Sequence, residues 1–206
     1  MAGQMLAWYP QDGTELLNVN DENPLPVRVT QDASGVLPSG ALAVGQRRSN
    51  PSSSFIRPAD TTAYTSTDLV ANSTTAAAVT PLSWTVTSTP GGSVIIRRIR
   101  TWKSSTVVSN ATFKIHMFTA PPTVANGDNG AISFPTANYL GLFQGNTPIA
   151  GSDGSISIAL LTSAGTDATY VLQTGSTTLY GLMEAIGGYI PISEERFIVT
   201  LEVWAD

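Results

Sequence analysis

Two stretches of strict alternation constrain this chain more than any other feature. In residues 112–117, Phe113, Ile115 and Met117 alternate with Thr112, Lys114 and His116. In residues 197–203, Phe197, Val199, Leu201 and Val203 share one parity, with Thr200 and Glu202 on the other. A period of two places each apolar set on one face of a strand and the polar set on the opposite face. Ahead of the first stretch, residues 94–103 are rich in β-branched and apolar side chains. Their alternation breaks at Arg97 and Arg98, as a bulge would break it. Residues 104–111, small and mostly polar, separate the two limbs. Residues 94–118 therefore read as a long antiparallel hairpin at the centre of a β-sandwich. Its core face is expected to bury Phe113, Ile115 and Met117 with Phe197, Val199 and Leu201.

From residue 55 onward, short strand-like runs recur at 68–71, 82–87, 94–103, 112–119, 139–143, 155–162, 168–173, 178–185 and 197–204. Turn signals punctuate them, such as Pro90-Gly91-Gly92 and the Asn126–Gly130 cluster. Many evenly spaced short strands without a long 3.6-residue period predict an all-β fold. The expected architecture is an antiparallel, jelly-roll-like β-sandwich over residues 55–206. Residues 182–186 leave a helical turn open as the alternative to the end of the 178–185 run. A domain of this length buries about two-thirds of its unfolded surface and should fold by itself.

Residues 1–54 differ. They hold Pro10, Pro24, Pro26, Pro38 and Pro51 and only short apolar patches, so they read as an extended N-terminal arm rather than a core. Gly45 to Ser54, with Arg47 and Arg48, has the composition of a linker. Trp8 and Tyr9 are large aromatics costly to leave in water, suited either to folding back onto the chain's own sandwich or to anchoring in a partner's pocket. Val27, Arg28 and Val29 form an extended piece able to add a strand to a neighbour's sheet edge. Trp8, Tyr9, Val27, Arg28, Val29, Arg47 and Arg48 are thus the expected partner-binding residues.

Composition narrows the function. The net charge is −5, from 10 basic and 15 acidic residues. Arg97, Arg98 and Arg100 are the nearest approach to a basic stripe, but simple alternation sends them to both faces of their strand. Nucleic-acid binding is therefore not expected. Charged residues make up 12% of the chain, about half the usual share, which fits a protein that hides much of its outside against neighbours. There is no cysteine for disulfides or thiolate metal sites. The N-terminus lacks a basic n-region, and no segment approaches the ~20 apolar residues of a membrane span.

No nucleotide, hydrolase or metal motif occurs. His116 is the only histidine, expected at the surface or an interface, and no nucleophile accompanies it. Glu194 and Glu195 are adjacent carboxylates whose side chains point apart in an extended chain. Asp128 and Asp153 sit in Gly-rich turns, where turn chemistry explains them without calcium. Neither enzyme activity nor a cofactor or metal is expected.

Phe55-Ile56-Arg57-Pro58-Ala59-Asp60-Thr61-Thr62-Ala63-Tyr64, followed by Asp68-Leu69-Val70-Ala71, resembles a recurrent opening of small tailed-bacteriophage virion proteins. Later stretches fit the same pattern: residues 118–123 with Asp128 and Asn129, residues 138–141, and residues 182–191 leading into 197–203. The resemblance implies a structural virion component without catalytic residues. The expected role is a capsid decoration (cement) protein, a homo-oligomer and preferably a trimer. It would be made in the host cytoplasm and mounted on the major capsid protein through its arm. The alternative is a neck or tail component that touches the host, with Tyr139, Tyr170 and Tyr189 as candidate sugar-stacking aromatics.

Overall fold

In the computed structural model, the described residues are 7–8, 17–18, 47–133, 137–161, 168–171 and 175–205. The chain divides into two units, Met1–Val44 and Gly45–Asp206. In the first, β1 (Ala7–Trp8) and β2 (Leu17–Asn18) form an antiparallel pair. The expected contacts of Tyr9, Val27, Arg28 and Val29 lie outside the described residues.

The second unit is all-β and antiparallel. Its strands are β3 (Arg47–Ser49), β4 (Ser52–Ile56), β5 (Leu69–Val70), β6 (Leu82–Thr85), β7 (Ser93–Lys103), β8 (Phe113–Phe118) and β9 (Tyr139–Gly145). They continue with β10 (Ile149–Ala150), β11 (Ser155–Leu161), β12 (Ala168–Val171), β13 (Thr178–Ala185) and β14 (Arg196–Ala205). All twelve belong to one hydrogen-bonded sheet in the order β3-β14-β7-β11-β9-β8-β13-β5. Strand β4 also pairs with β14, β12 with β7, β10 with β11 and β6 with β13. The sheet curls until its two ends meet: the Ser83 N–H of β6 donates to Ser53 Oγ of β4 at 3.1 Å. Two halves then face each other as a sandwich, closed around one core.

Both alternating stretches bury the expected side chains. Phe197, Val199, Leu201 and Val203 have no solvent exposure, and Phe113, Ile115 and Met117 join them in one cluster. Phe113 meets Phe197 edge-on at 5.4 Å and Tyr189 edge-on at 5.4 Å. Trp84 spans the interior and donates its indole N–H to Val199 O at 2.9 Å. The ring lies so close to Gly181 that a Cβ there would sit 2.7 Å from Trp84 Cη2, so only glycine fits.

Three expectations need correction. Residues 94–118 are not a hairpin: β7 pairs with β14, β11 and β12, whereas β8 pairs with β9 and β13. The two limbs lie in opposite halves and meet through the core. Their nine-residue connection, residues 104–112, is long enough to cross the end of the sandwich, and the 11-residue β7 finds in β14 a partner longer than β8. Residues 182–186 are not a helical turn, because Leu182, Met183, Glu184 and Ala185 continue β13. Residues 45–54 are not a linker, since β3 and β4 pair along β14 from Ala205 back to Arg196.

Candidate interaction surface

The halves of the sandwich differ in what covers their outer faces. Outside β8 and β13, Leu69, Ala71, Phe118 and Leu182 form a second buried cluster, packed against Val79, Val124, Ile132 and Tyr180. The chain shields this side with its own connections. On the other half, successive strands leave a bare row of apolar side chains.

Register defines that row. Ile149 of β10 opposes Ile156 of β11, Ile156 opposes Trp102 of β7, and Trp102 opposes Ile198 of β14. Directly opposed residues share a face with Cβ atoms about 5 Å apart, so the four form a continuous stripe. Ile149 is 74% exposed and Ile156 41%, while Trp102 and Ile198 are half-buried by their neighbours. Ile158 in the next row and Ile56 at the β4 edge widen it, at 39% and 54% exposure. Large aliphatic side chains on consecutive strands at such exposure mark a contact surface rather than scattered surface residues.

Arginines surround the stripe, and here the sequence-based expectation fails. Glu202 opposes Arg98 and Val203 opposes Ile96, so Arg97 is the extra residue of a β-bulge. The bulge occurs where alternation breaks, and it re-aims the neighbouring side chains. Val94 and Ile96 point inward, Arg97 and Arg98 are both exposed, and Ile99 returns to the core. Arg97, Arg98 and Arg100 therefore emerge together on the outer face. Arg196 and Arg48 lie on the same face through their pairing with Ile56 and Trp204. Arg48 and Arg97 each lie 4.7 Å from the Trp204 ring, which the two guanidinium groups cover. The buried Trp204 Nε1 has no acceptor among the described residues. Glu202, ion-paired with Arg98, is the only carboxylate on these strands. Arg47 turns away and donates to Ser88 Oγ at 3.2 Å, beside a groove of about 280 Å³ that Arg48, Thr85 and Thr87 also line.

The other basic residues of this unit are engaged elsewhere. The Arg57 side chain is fully buried, with Nη2 2.8 Å from Asp128 Oδ2. Asp128 Oδ1 also accepts from Tyr64 O–H and from Ala71 N–H, both at 2.7 Å. Asp128 is thus an ion-pair partner holding loop to strand, with its oxygens already occupied. Lys103 is buried, donates to Tyr189 O–H at 3.0 Å and lies 3.3 Å from Glu195 Oε1. Burial pulls the Lys103 ammonium below its ordinary value, against the pull of Glu195. Lys114 pairs with Glu184 at 2.7 Å.

Other residues expected at a site lie away from this face. His116 is not at the surface: it is 1% exposed, 2.7 Å from Glu184 Oε2 and 3.1 Å from Tyr139 O–H. Both faces of β8 are covered at this point, which alternation alone does not reveal. Desolvation lowers the His116 pKa, partly offset by Glu184. Glu195 is buried and Glu194 exposed, so the two carboxylates do point apart. Asp153 is exposed in the turn between β10 and β11. Among the sugar-stacking candidates, Tyr189 is fully buried, Tyr139 is 37% exposed, and the Tyr170 side chain lies outside the described residues.

The stretches that carry the virion-protein resemblance meet in the interior. Arg57 and Tyr64 come from the first and Asp128 from the second. Tyr189 comes from a third, its ring stacked 6.3 Å from Tyr64 and its carbonyl accepting the Tyr64 N–H at 2.9 Å. These residues specify the fold rather than line a site. No protein-family model, curated protein or solved structure matches the chain.

Proposed function

We propose that this chain is a structural component of a tailed-bacteriophage virion. In this reading it is a decoration protein on the outside of the head, attached through its N-terminal arm and through the bare face of β10, β11, β7 and β14. The observation that carries the proposal is the contrast between the two halves: one outer face is sealed by the chain itself, and the other presents an isoleucine–tryptophan stripe. A freely diffusing protein has reason to cover such a stripe, whereas a mounted one uses it. The low charge content and the resemblance of residues 55–204 to virion proteins support the same reading. A trimer or similar closed oligomer would present several arms and faces to a lattice at once, multiplying weak contacts. Quantitative mass spectrometry of purified particles tests it. Copy numbers comparable with the number of capsomers are expected; a handful of copies, as at a neck or tail, or none, would contradict the head assignment.

A further inference from the structure

We infer that the bare face docks on another protein through a surface with an apolar centre and a carboxylate rim, not on a second copy of the same face. The inference rests on the mounted-protein reading for where that partner resides, and it adds the partner's chemistry.

Charge asymmetry argues for it. The whole chain carries −5, yet Arg48, Arg97, Arg98, Arg100 and Arg196 gather on this face, where Glu202 is the one carboxylate within the described strands themselves and Asp153 lies at the β10–β11 turn. A two-fold interface between identical faces would gather both sets of arginines into one desolvated contact, a like-charge crowding that opposes it. A partner bearing aspartates and glutamates removes that conflict. Arg and Trp are also the residues that interfaces enrich and that anchor them.

The aliphatic stripe separates a protein partner from a nucleic acid. Three of the four stripe residues, Ile149, Ile156 and Ile198, offer no π-face to a base; Trp102 is half-buried among them with its ring packed over Gly154, and the Trp204 ring is already covered by Arg48 and Arg97. An apolar protein surface, by contrast, gains from covering them. The area is adequate. Five neighbouring strand positions spaced ~4.8 Å apart, by roughly 30 Å of strand length, give a face on the order of 600 Å². One partner in a standard-size interface contributes about 800 Å², so this face supplies most of a stable contact.

The test is co-sedimentation of the full chain with particles stripped of it, comparing wild type with Ile149→Asp, Arg100→Glu and Ile190→Asp. Ile190 is 60% exposed and lies off these strands, so it serves as the control. Circular dichroism and melting temperature check that each variant folds, which the exposure of Ile149 favours. Ile149→Asp is expected to weaken binding about thirtyfold and Arg100→Glu about tenfold, with Ile190→Asp unchanged. Wild-type binding should also weaken between 50 and 500 mM salt, as screening removes the rim contribution, roughly tenfold. If wild type binds and both face variants bind equally well, the face assignment is overturned while the virion reading stands. If wild type stays in the supernatant, both fall. A wild-type dimer that Ile149→Asp dissociates would show that the face pairs with itself. Micromolar or tighter binding to duplex DNA or to polyuridine at about 150 mM salt that Arg100→Glu abolishes would assign it to nucleic acid. Either result overturns the inference.

Discussion

Replacing Phe113 by alanine probes the junction on which the sandwich depends. The Phe113 ring is 4% exposed and fits edge-on between Phe197 and Tyr189. Losing a buried phenyl group forfeits about 2–3 kcal/mol of transfer free energy. The void adds more: a ring-sized cavity of roughly 80 Å³, at about 24 cal/mol per Å³, contributes about 2 kcal/mol. Together these give roughly 4 kcal/mol, within the ~3–5 kcal/mol range for such truncations. For a unit of about 160 residues, unfolding entropy near 0.34 kcal/mol/K converts that loss into a melting point about 12 °C lower. Urea unfolding of the full chain measures it, with an unchanged m-value showing that the two end states are the same. A loss below about 1 kcal/mol at unchanged m would mean that β8 and β14 do not pack face to face.

The buried polar groups and the unit boundary give three further expected outcomes. Asp128→Asn removes the buried charge partner of Arg57 and leaves it only the part-exposed Asp60 at 3.4 Å, so urea unfolding should show a loss of about 3 kcal/mol; a loss under about 1 kcal/mol would show that Asp60 or water suffices for Arg57. Burial holds His116 below its ordinary 6.5, so the folded chain takes up that proton at lower pH than the unfolded chain. The associated stability is complete above about pH 6.5 and is lost as pH falls through the lower folded-state value. His116→Gln, facing the same Glu184, Lys114 and Tyr139, should flatten stability between pH 7 and 5 in denaturant titrations; an unchanged slope would contradict this. Deleting residues 1–44 should leave the melting temperature nearly unchanged, whereas deleting 1–54 should unfold or aggregate the protein by removing β3 and most of β4. Equal stability of the two truncations would show that β3 and β4 are dispensable.

Nine of the twelve strands in the second unit were legible because their apolar pattern is written locally and the core rewards that pattern. The missing ones, β3, β4 and β10, are short or serine-rich pieces such as Arg47-Arg48-Ser49 and Ser52-Ser53-Ser54, held by backbone pairing with β14 or β11 rather than by burial. Pairing partners were not legible either. Nothing in residues 94–118 says that β7 will choose β14 over β8, because that choice depends on strand length and the crossing of the loop. The arginine face was hidden by a rule applied too simply. The break at Arg97 and Arg98 was visible, and carrying its consequence forward would have put Arg97, Arg98 and Arg100 on one side. His116 and Tyr189 were misplaced outward because distant segments cover them, and a single strand's alternation carries no record of such covering.

Cryo-electron microscopy of the intact particle, at a resolution that separates strands, addresses the mounting directly. The expected map places this chain on the outer head surface. Ile149, Ile156, Trp102 and Ile198 should lie against the capsid protein, with carboxylates facing Arg98 and Arg100. A map with the chain on the head but this face open to solvent would contradict the account of attachment. A map with the chain only at the neck or tail would contradict the decoration role itself.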